Sequence, residues 1–556
     1  MNPQLPPIRS TPRLQHQLDW HEEILVDLFA GGGGMSTAMH MATGISPHIA
    51  CNHDSNAISM HEANHPQTRH YQADVFELDP RAAVQGRPVG LLHASPDCTH
   101  HSQAAGGQPR DRKIRALSWV VLRWAGQVGP RVITLENVRQ ITQWGPLVAK
   151  RDKATGRVIK ADGTVAAKGE VVPLRQQYLV PDRRRAGKTW CTFTRRLQAL
   201  GYRVEWKLLC AADYGAPTTR ERLFLVARRD ALPIVWPEPT HYKQPTCGQK
   251  CWRSAAECID WSIPGRSIFN RAKPLAENTL KRIAKGITKF VLENPEPFVV
   301  GINGERPLVA LQMDAAHGEG RGTTRRRGCG SHRMQQPLGT ITASGGHALV
   351  CAWMMQANGG YYDISNVAGG RAMTEPLSTI TNSGSQQQLL AAHLMRQFGS
   401  STGSGLRDPV GTIMADGAGG KTSIVECLLD KPEDGTAQAL RVAAFLTNYC
   451  GAAAHGPIPP MDTLTTKERL ARVTVHLNGI PYYITDITLR MLEPSELYLA
   501  QGFPDDYIFT HGHDGRVFSK AAQVRMCGNS VSPPPAVALL RANYDRAQLQ
   551  VLRRAS

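Results

Sequence analysis

From residue 23 to about 229, short apolar runs alternate with stretches of helical periodicity. This is the signature of a mostly parallel α/β sheet. The runs at 24–29, 48–52, 89–95, 131–136, 203–211 and 222–227 read as strands, and 114–128 carries apolar residues at helical spacing. The segment 139–190 breaks this rhythm. It is rich in Lys, Arg, Gly and Val, and reads as an exposed, partly mobile insertion.

After residue 255 the character changes. Residues 280–292 look helical, and then Gly, Thr, Ser and Gln become frequent. An internal repeat emerges here. An apolar strand ending in a polar-glycine turn occurs at 298–304, 353–360, 393–399 and 445–451. Each is followed by a Pro-apolar-x-Thr-like element, at 337–342, 376–381, 409–414 and 460–465. An old duplication that only builds a β-rich domain explains this, as does a surface whose loops read a partner. Beyond 487 the helix-and-strand texture returns to about 544. The expected organisation is therefore a tail at 1–20, a first domain at 21–255, an inserted or docked β-rich domain at 256–485, and a return at 486–545.

At 556 residues the chain is long enough for two to four cores, and its composition, 41% hydrophobic and 20% charged, is globular. Sixty-four Lys and Arg against 46 Asp and Glu leave a formal charge of +18. Such an excess points to a polyanionic partner, because basic side chains that neutralise phosphates release condensed counterions. A merely soluble basic protein is the plainer alternative. No apolar run is long enough to span a membrane, and 1–17 lacks the apolar core of a secretory signal, so a cytoplasmic protein with reduced cysteines is expected. Cys247, Cys251 and Cys258 come nearest to a metal cluster, but no second Cys or His pair stands near, so no metal is expected.

Four motifs carry candidate chemistry. Val26-Asp27-Leu28-Phe29-Ala30-Gly31-Gly32-Gly33-Gly34 is a strand running into a glycine turn, which lets backbone approach a ligand at the strand's carboxyl end. Ser95-Pro96-Asp97-Cys98-Thr99-His100-His101-Ser102 places a cysteine just beyond another strand, where it is either reactive or a buried structural thiol. Leu135-Glu136-Asn137-Val138 puts a carboxyl group at a third strand end, able to donate a proton to a ring nitrogen if held protonated. Thr219-Arg220-Glu221-Arg222 alternates two arginines on one strand face, ordinarily a solvated ion-pair surface.

Together with Gln501-Gly502-Phe503-Pro504 and Gly528-Asn529-Ser530-Val531, these motifs resemble, in kind and order, the DNA (cytosine-5)-methyltransferase family. The Asp-Cys-Thr-His form is similar to phage and prophage members. The resemblance covers about 20–230 and 486–545. It implies a Rossmann-like methyltransferase domain with an inserted target-recognition domain. The implied activity transfers a methyl group from S-adenosyl-L-methionine to carbon-5 of a cytosine flipped out of duplex DNA. Cys98 matches the nucleophile, Glu136 the residue at ring nitrogen 3 and the exocyclic amine, and Arg220 and Arg222 the pair around the base; Asn137 accompanies them. Cofactor contacts fall on Asp27, Phe29, Ala30, Gly31 and Gly33, with Asn52 or Asp54 at the ribose and Asp74 at the adenine amine. Asn529 and Ser530 close the site. A monomer with a possible cognate restriction endonuclease is implied. Arg183-Arg184-Arg185 and Arg325-Arg326-Arg327 are candidate phosphate contacts.

The chain departs from the family pattern at Asp97, where proline usually precedes the cysteine, and at Thr99, His101, Asn52 and Thr218. A carboxylate beside a thiol raises its pKa, whereas Arg222 nearby is expected to lower it. An RNA cytosine-5 methyltransferase on the same motifs, or a DNA-binding regulator with a dead site, are the alternatives.

Overall fold

A computed structural model describes residues 23–98, 100–101, 110–260 and 480–544 without interruption. It describes 263–293 with short gaps, and only separate segments from 298 to 477. All six expected strands are present, as β1 (Ile24–Leu28), β2 (Ile49–Asn52), β4 (Val89–Ala94), β5 (Val132–Asn137), β6 (Arg203–Cys210) and β7 (Glu221–Arg228). A seventh, β3 (Arg69–Gln72), lies at the sheet edge. Its sequence Arg-His-Tyr-Gln carries no apolar run, because an edge strand has little to bury.

The sheet order is β3-β2-β1-β4-β5-β7-β6. The pairs β1–β2, β2–β3, β1–β4 and β4–β5 are parallel, while β7 runs antiparallel to both β5 and β6. The carboxyl ends of β1 to β5 and the amino end of β7 therefore share one edge. The order also reverses between β1 and β4. In an open α/β sheet such a reversal makes the crevice where ligands usually bind.

Helices cover both faces, which is why β1 is buried along its whole length. Ile24, Val26 and Leu28 point to one face. They join a core with Val121 and Trp124 of a helix at Val120–Gln127 and Phe193 of another at Lys188–Ala199. Leu25 points the other way, toward Met35 and Met39 of α1 (Gly34–Thr43) and Leu539 and Leu540 of the last described helix, Pro533–Asn543. The period-two alternation of strand side chains thus sorts one sequence into two cores. The chain's end completes the core that its beginning opens.

The expected helix at 114–128 is three pieces: Arg112–Arg115, a tighter turn at Leu117–Trp119, and Val120–Gln127. The break is a run of i→i−3 bonds, from Ala116 N to Lys113 O and from Trp119 N to Ala116 O. The helix expected at 280–292 is Glu277–Ile287, continued by a wider turn at Thr288–Leu292. The insertion is built rather than loose. Leu147–Ala149 pairs with Leu179–Pro181, and bridges join Arg151 to Val158, Ile159 to Val165 and Lys160 to Gln177.

A second sheet holds the long strands Leu389–Gln397, Lys421–Asp430 and Ile480–Met491, the middle one antiparallel to both neighbours, with Arg266–Ser267 beside the last. Among the repeat segments, Phe298–Val299, Gln356–Ala357 and part of Leu389–Gln397 are strands as expected. The fourth copy differs: Phe445 and Leu446 have helical backbone. Phe445 stacks edge-on against Phe269, and its ring is buried. Leu338–Gly339, in the first Pro-Thr element, pairs with Thr218–Thr219, directly before Arg220. The remaining repeat positions, Arg325 to Arg327, Thr99, Ser102 and the tail at 1–20 lie outside the described residues.

Candidate active site

The glycine turn is fixed from beneath. Gly33 has φ 77 and caps α1, a left-handed conformation that costs a side chain 1–2 kcal/mol in order of magnitude. A Cβ there would also overlap the Tyr507 hydroxyl, which donates to the Gly32 carbonyl at 2.7 Å. A Cβ on Gly34 would overlap the Val531 carbonyl. The turn needs glycine because the C-terminal return is pressed against it. Phe29 itself has φ 64, and its carbonyl accepts from the Ser95 hydroxyl at 3.3 Å, joining the β1 and β4 loops. Ala30 is buried, and its N–H donates to the Cys51 carbonyl at 3.1 Å.

Asp27 lies wholly buried under this turn, on the α1 face of β1. One carboxyl oxygen accepts from Ser36 at 2.6 Å; the other has no hydrogen-bond partner in the structure. Burial pushes its pKa up from 3.8 to about 7, with Ser36 pulling the other way. His61 continues the chain, 2.7 Å from the Ser36 hydroxyl and 2.7 Å from His70.

At the ends of β2 and β3 the expected residues divide. Asp54 is a helix cap, accepting from the Asn56 and Ala57 N–H groups, with its second oxygen 3.2 Å from Arg525. Both of its oxygens are engaged in fold contacts; the other residue expected at the ribose is Asn52. That side chain accepts from the Asp54 N–H and is half-buried at the edge. Asp74 is exposed beyond β3, accepting only the local Phe76 N–H at 2.9 Å. Asn529 is exposed near Gly31. Ser530 is buried, its hydroxyl donating to the Met526 carbonyl at 2.9 Å, so it braces the helix end and not an open pocket.

Around the cysteine, three elements converge. β7 is antiparallel to β5 with Phe224 opposite Glu136, so Arg222 and Glu136 are diagonal neighbours on one face. Arg222 Nε lies 3.1 Å from Glu136 Oε1, with both side chains almost buried. Asn137 Nδ2 donates to the Pro96 carbonyl at 2.8 Å, and its amide oxygen accepts from Val138. Asn137 thus ties the cysteine loop to β5. Arg220 is buried and donates to the Gly528 and Ser530 carbonyls at 3.0 and 2.8 Å.

Cys98 is partly buried among these groups. Its thiol pKa stands at about 11, against an ordinary 9.0. Burial raises it most, Asp97 and Glu136 add to the rise, and Arg222 and Arg220 oppose it. Arg222 lowers the thiol pKa and Asp97 raises it, as expected of each. Desolvation of the thiolate outweighs the arginine.

Sequence reasoning missed the clasp at the foot of the cysteine loop. Arg115 Nη1 donates to the His100 carbonyl at 2.8 Å and Nη2 to the Gly145 carbonyl at 3.4 Å, while His100 Nδ1 accepts from Asp111 N–H at 2.7 Å. His101 is buried edge-on to Trp144, its ring centroid 5.7 Å away, and burial holds its pKa down at about 3. It also missed Tyr507, Ser36 and His61. No local pattern marks them, because their partners lie far along the chain. Cys247 and Cys251 are exposed and Cys258 is buried. Among the described residues no three His, Cys, Asp or Glu side chains gather as a metal site. No helix among them is long and apolar enough to cross a membrane.

Type II methyltransferase M.AquIA from Picosynechococcus is 27% identical over 225 residues, 40% of this chain and 77% of its own length. Type II methyltransferase M.NaeI from Lentzea aerocolonigenes is 25% identical, covering 55% of this chain and 70% of its own. A solved DNMT2 mutant of Spodoptera frugiperda aligns with 94% of this chain and 100% of its own, at 14% identity and TM-score 0.40. The family model for C-5 cytosine-specific DNA methylases matches residues 24–145, 180–280 and 427–544, more than half of the chain and all of the edge just described. The chain belongs to the C-5 cytosine-specific DNA methylases, which transfer a methyl group from S-adenosylmethionine to cytosine in DNA.

Proposed function

We propose that this methyltransferase works by covalent catalysis, with Cys98 as nucleophile, on a cytosine flipped out of the duplex. The convergence of Cys98, Glu136 and Arg222 from three elements onto one sheet edge carries this reading. Carbon-5 of cytosine is too weak a nucleophile to react unaided. Attack of the Cys98 sulfur on carbon-6 forms a C–S bond and moves electron density to carbon-5. Glu136 meets ring nitrogen 3 and the exocyclic amine, where charge would otherwise accumulate. After methylation the carbon-5 proton leaves, the C–S bond breaks, and Cys98 departs as the thiolate. Stacked bases cannot reach the site, so flipping comes first, at a cost of a few kcal/mol.

The remaining residues hold this geometry. Arg222 compensates the Glu136 charge and favours the thiolate, Asn137 positions the loop, and Arg220 docks the return segment behind the site. S-adenosylmethionine, when bound, supplies the methyl group. The crevice suits it: a cradle of Phe29, Ala30, Gly31 and Gly33 over Asp27, open polar groups at Asn52 and Asp74, and Asn529 across the turn. The β-rich region at 256–485 is the target-recognition domain inserted into a catalytic domain of 21–255 and 486–545. One chain supplies the whole site, which supports a monomer, and the Type II naming of the relatives supports a partner endonuclease of the same specificity.

The test is a duplex carrying 5-fluorocytosine, where fluorine blocks loss from carbon-5. The wild type forms a denaturation-resistant adduct and Cys98→Ser forms none. An adduct that survives Cys98→Ser would refute the assignment.

A further inference from the structure

We propose that the insertion at 146–185 is a second DNA-contact arm that grips the phosphate backbone beside the catalytic edge, without reading bases. The proposal rests on the DNA-methylating activity and assigns that activity a further surface. The family match stops at 145 and resumes at 180, so most of the arm belongs to this chain and not to the shared fold.

The arm is rooted at the active site. It begins one tight turn (Arg139–Gln143) after β5, the strand that carries Glu136, and its two ends are tied by the Asp182 N–H to the Pro146 carbonyl at 2.9 Å. Arg110, on the return from the cysteine loop, donates its N–H to the Leu179 carbonyl at 2.9 Å. Gly145, held by Arg115, packs so closely on the Arg185 carbonyl that a Cβ would overlap it. A duplex whose flipped base reaches Cys98 therefore passes beside this arm.

Its charge is one-sided. Residues 146–185 hold ten Lys and Arg against four Asp and Glu, a net +6 out of the chain's +18. The acids are committed internally: Asp182 to Arg185 at 2.7 Å, Glu170 to Lys160 at 2.6 Å, and Asp152 and Asp162 each to a threonine hydroxyl at 2.7 Å. Lys153, Lys168, Arg175, Arg183 and Arg184 are exposed and have no ion-pair partner among the described residues. A solvated face usually mixes signs. Here five exposed basic side chains have no ion-pair partner among the described residues, and a phosphate backbone is the anion that the reaction brings.

The quadruple variant Lys153→Gln, Arg175→Gln, Arg183→Gln, Arg184→Gln, at exposed positions, tests this. Binding of the intact protein to a non-target duplex is measured across a salt series. Each lost phosphate contact makes the slope of log K against log salt shallower by about 0.9, so up to about 3–4 in all, with affinity about 10-fold weaker or more. Turnover on saturating target DNA, the preferred sequence, melting temperature and S-adenosylmethionine affinity stay at wild-type values. An unchanged slope, a changed target preference, or a loss seen with transfer RNA but not with duplex DNA overturns the proposal. Absence of methylation by the wild type would instead strike the catalytic reading, while the salt slopes would still be measured.

Discussion

Burial and Asp97 push the Cys98 thiol toward the neutral form, and Arg222 pushes back. With a pKa near 11, the free thiol is mostly neutral at neutral pH. Iodoacetamide labelling of the Cys98 peptide is therefore expected to climb with pH toward about 11. Arg222→Leu should move that inflection up and Asp97→Asn down. Mass spectrometry of the peptide at several pH values measures this, and labelling already complete at neutral pH would contradict it. Glu136→Gln keeps the side chain's shape but loses its charge and proton. Methyl transfer should fall about 10²–10⁴-fold while duplex binding persists. A single-turnover rate equal to wild type would remove Glu136 from the chemistry.

At the scale of elements, β1 and α1 are joined by a polar contact inside an apolar layer. Asp27 contributes stability only while protonated: its folded pKa of about 7 exceeds the ordinary 3.8, so this contribution is present below about 4 and lost as pH rises through 7. A shift of this size is worth about 4 kcal/mol in order of magnitude. Around it, burial holds His61 and His65 below the ordinary 6.5, so these histidines act in the opposite sense, favouring the fold as pH rises toward 6.5. The contrast between wild type and Asp27→Asn isolates the aspartate. Relative to the variant, the wild type should lose stability between pH 4 and 7, read as melting temperatures without cofactor; parallel curves would refute the shift. The strands themselves were legible, because buried parallel strands need continuous apolar runs. β3 was not, since an edge strand needs none, and the 114–128 helix broke where Arg115 turned aside to clasp the cysteine loop.

On the scale of the molecule, the return segment closes the site from more than 300 residues away. Arg220 reaches the Gly528 and Ser530 carbonyls, and Tyr507 reaches the glycine turn. Arg220→Met leaves both carbonyls unmet and should cost about 3 kcal/mol, from two charge-assisted bonds. The melting temperature should fall, and calorimetry should show weaker S-adenosylmethionine binding, because the turn loses its backing. A variant with wild-type melting and affinity would show that the docking is incidental.

The residue types, their order and their attachment to strand ends were set by local sequence, since a glycine turn, a cysteine loop and a short buried strand each need only neighbours. It is the order of those features, in its resemblance to the family pattern, that assigns Cys98, Glu136 and Arg222 to one site. What the tertiary structure decided was the balance of forces on them. Whether Arg222 or desolvation governs the Cys98 thiol depends on how much of the site is shielded from water. Whether Asp54 faces a ligand or caps a helix depends on where α2 (Ser55–Asn64) begins and on Arg525 opposite. Both are sums over contacts between segments far apart in the chain, and a one-dimensional pattern does not carry them.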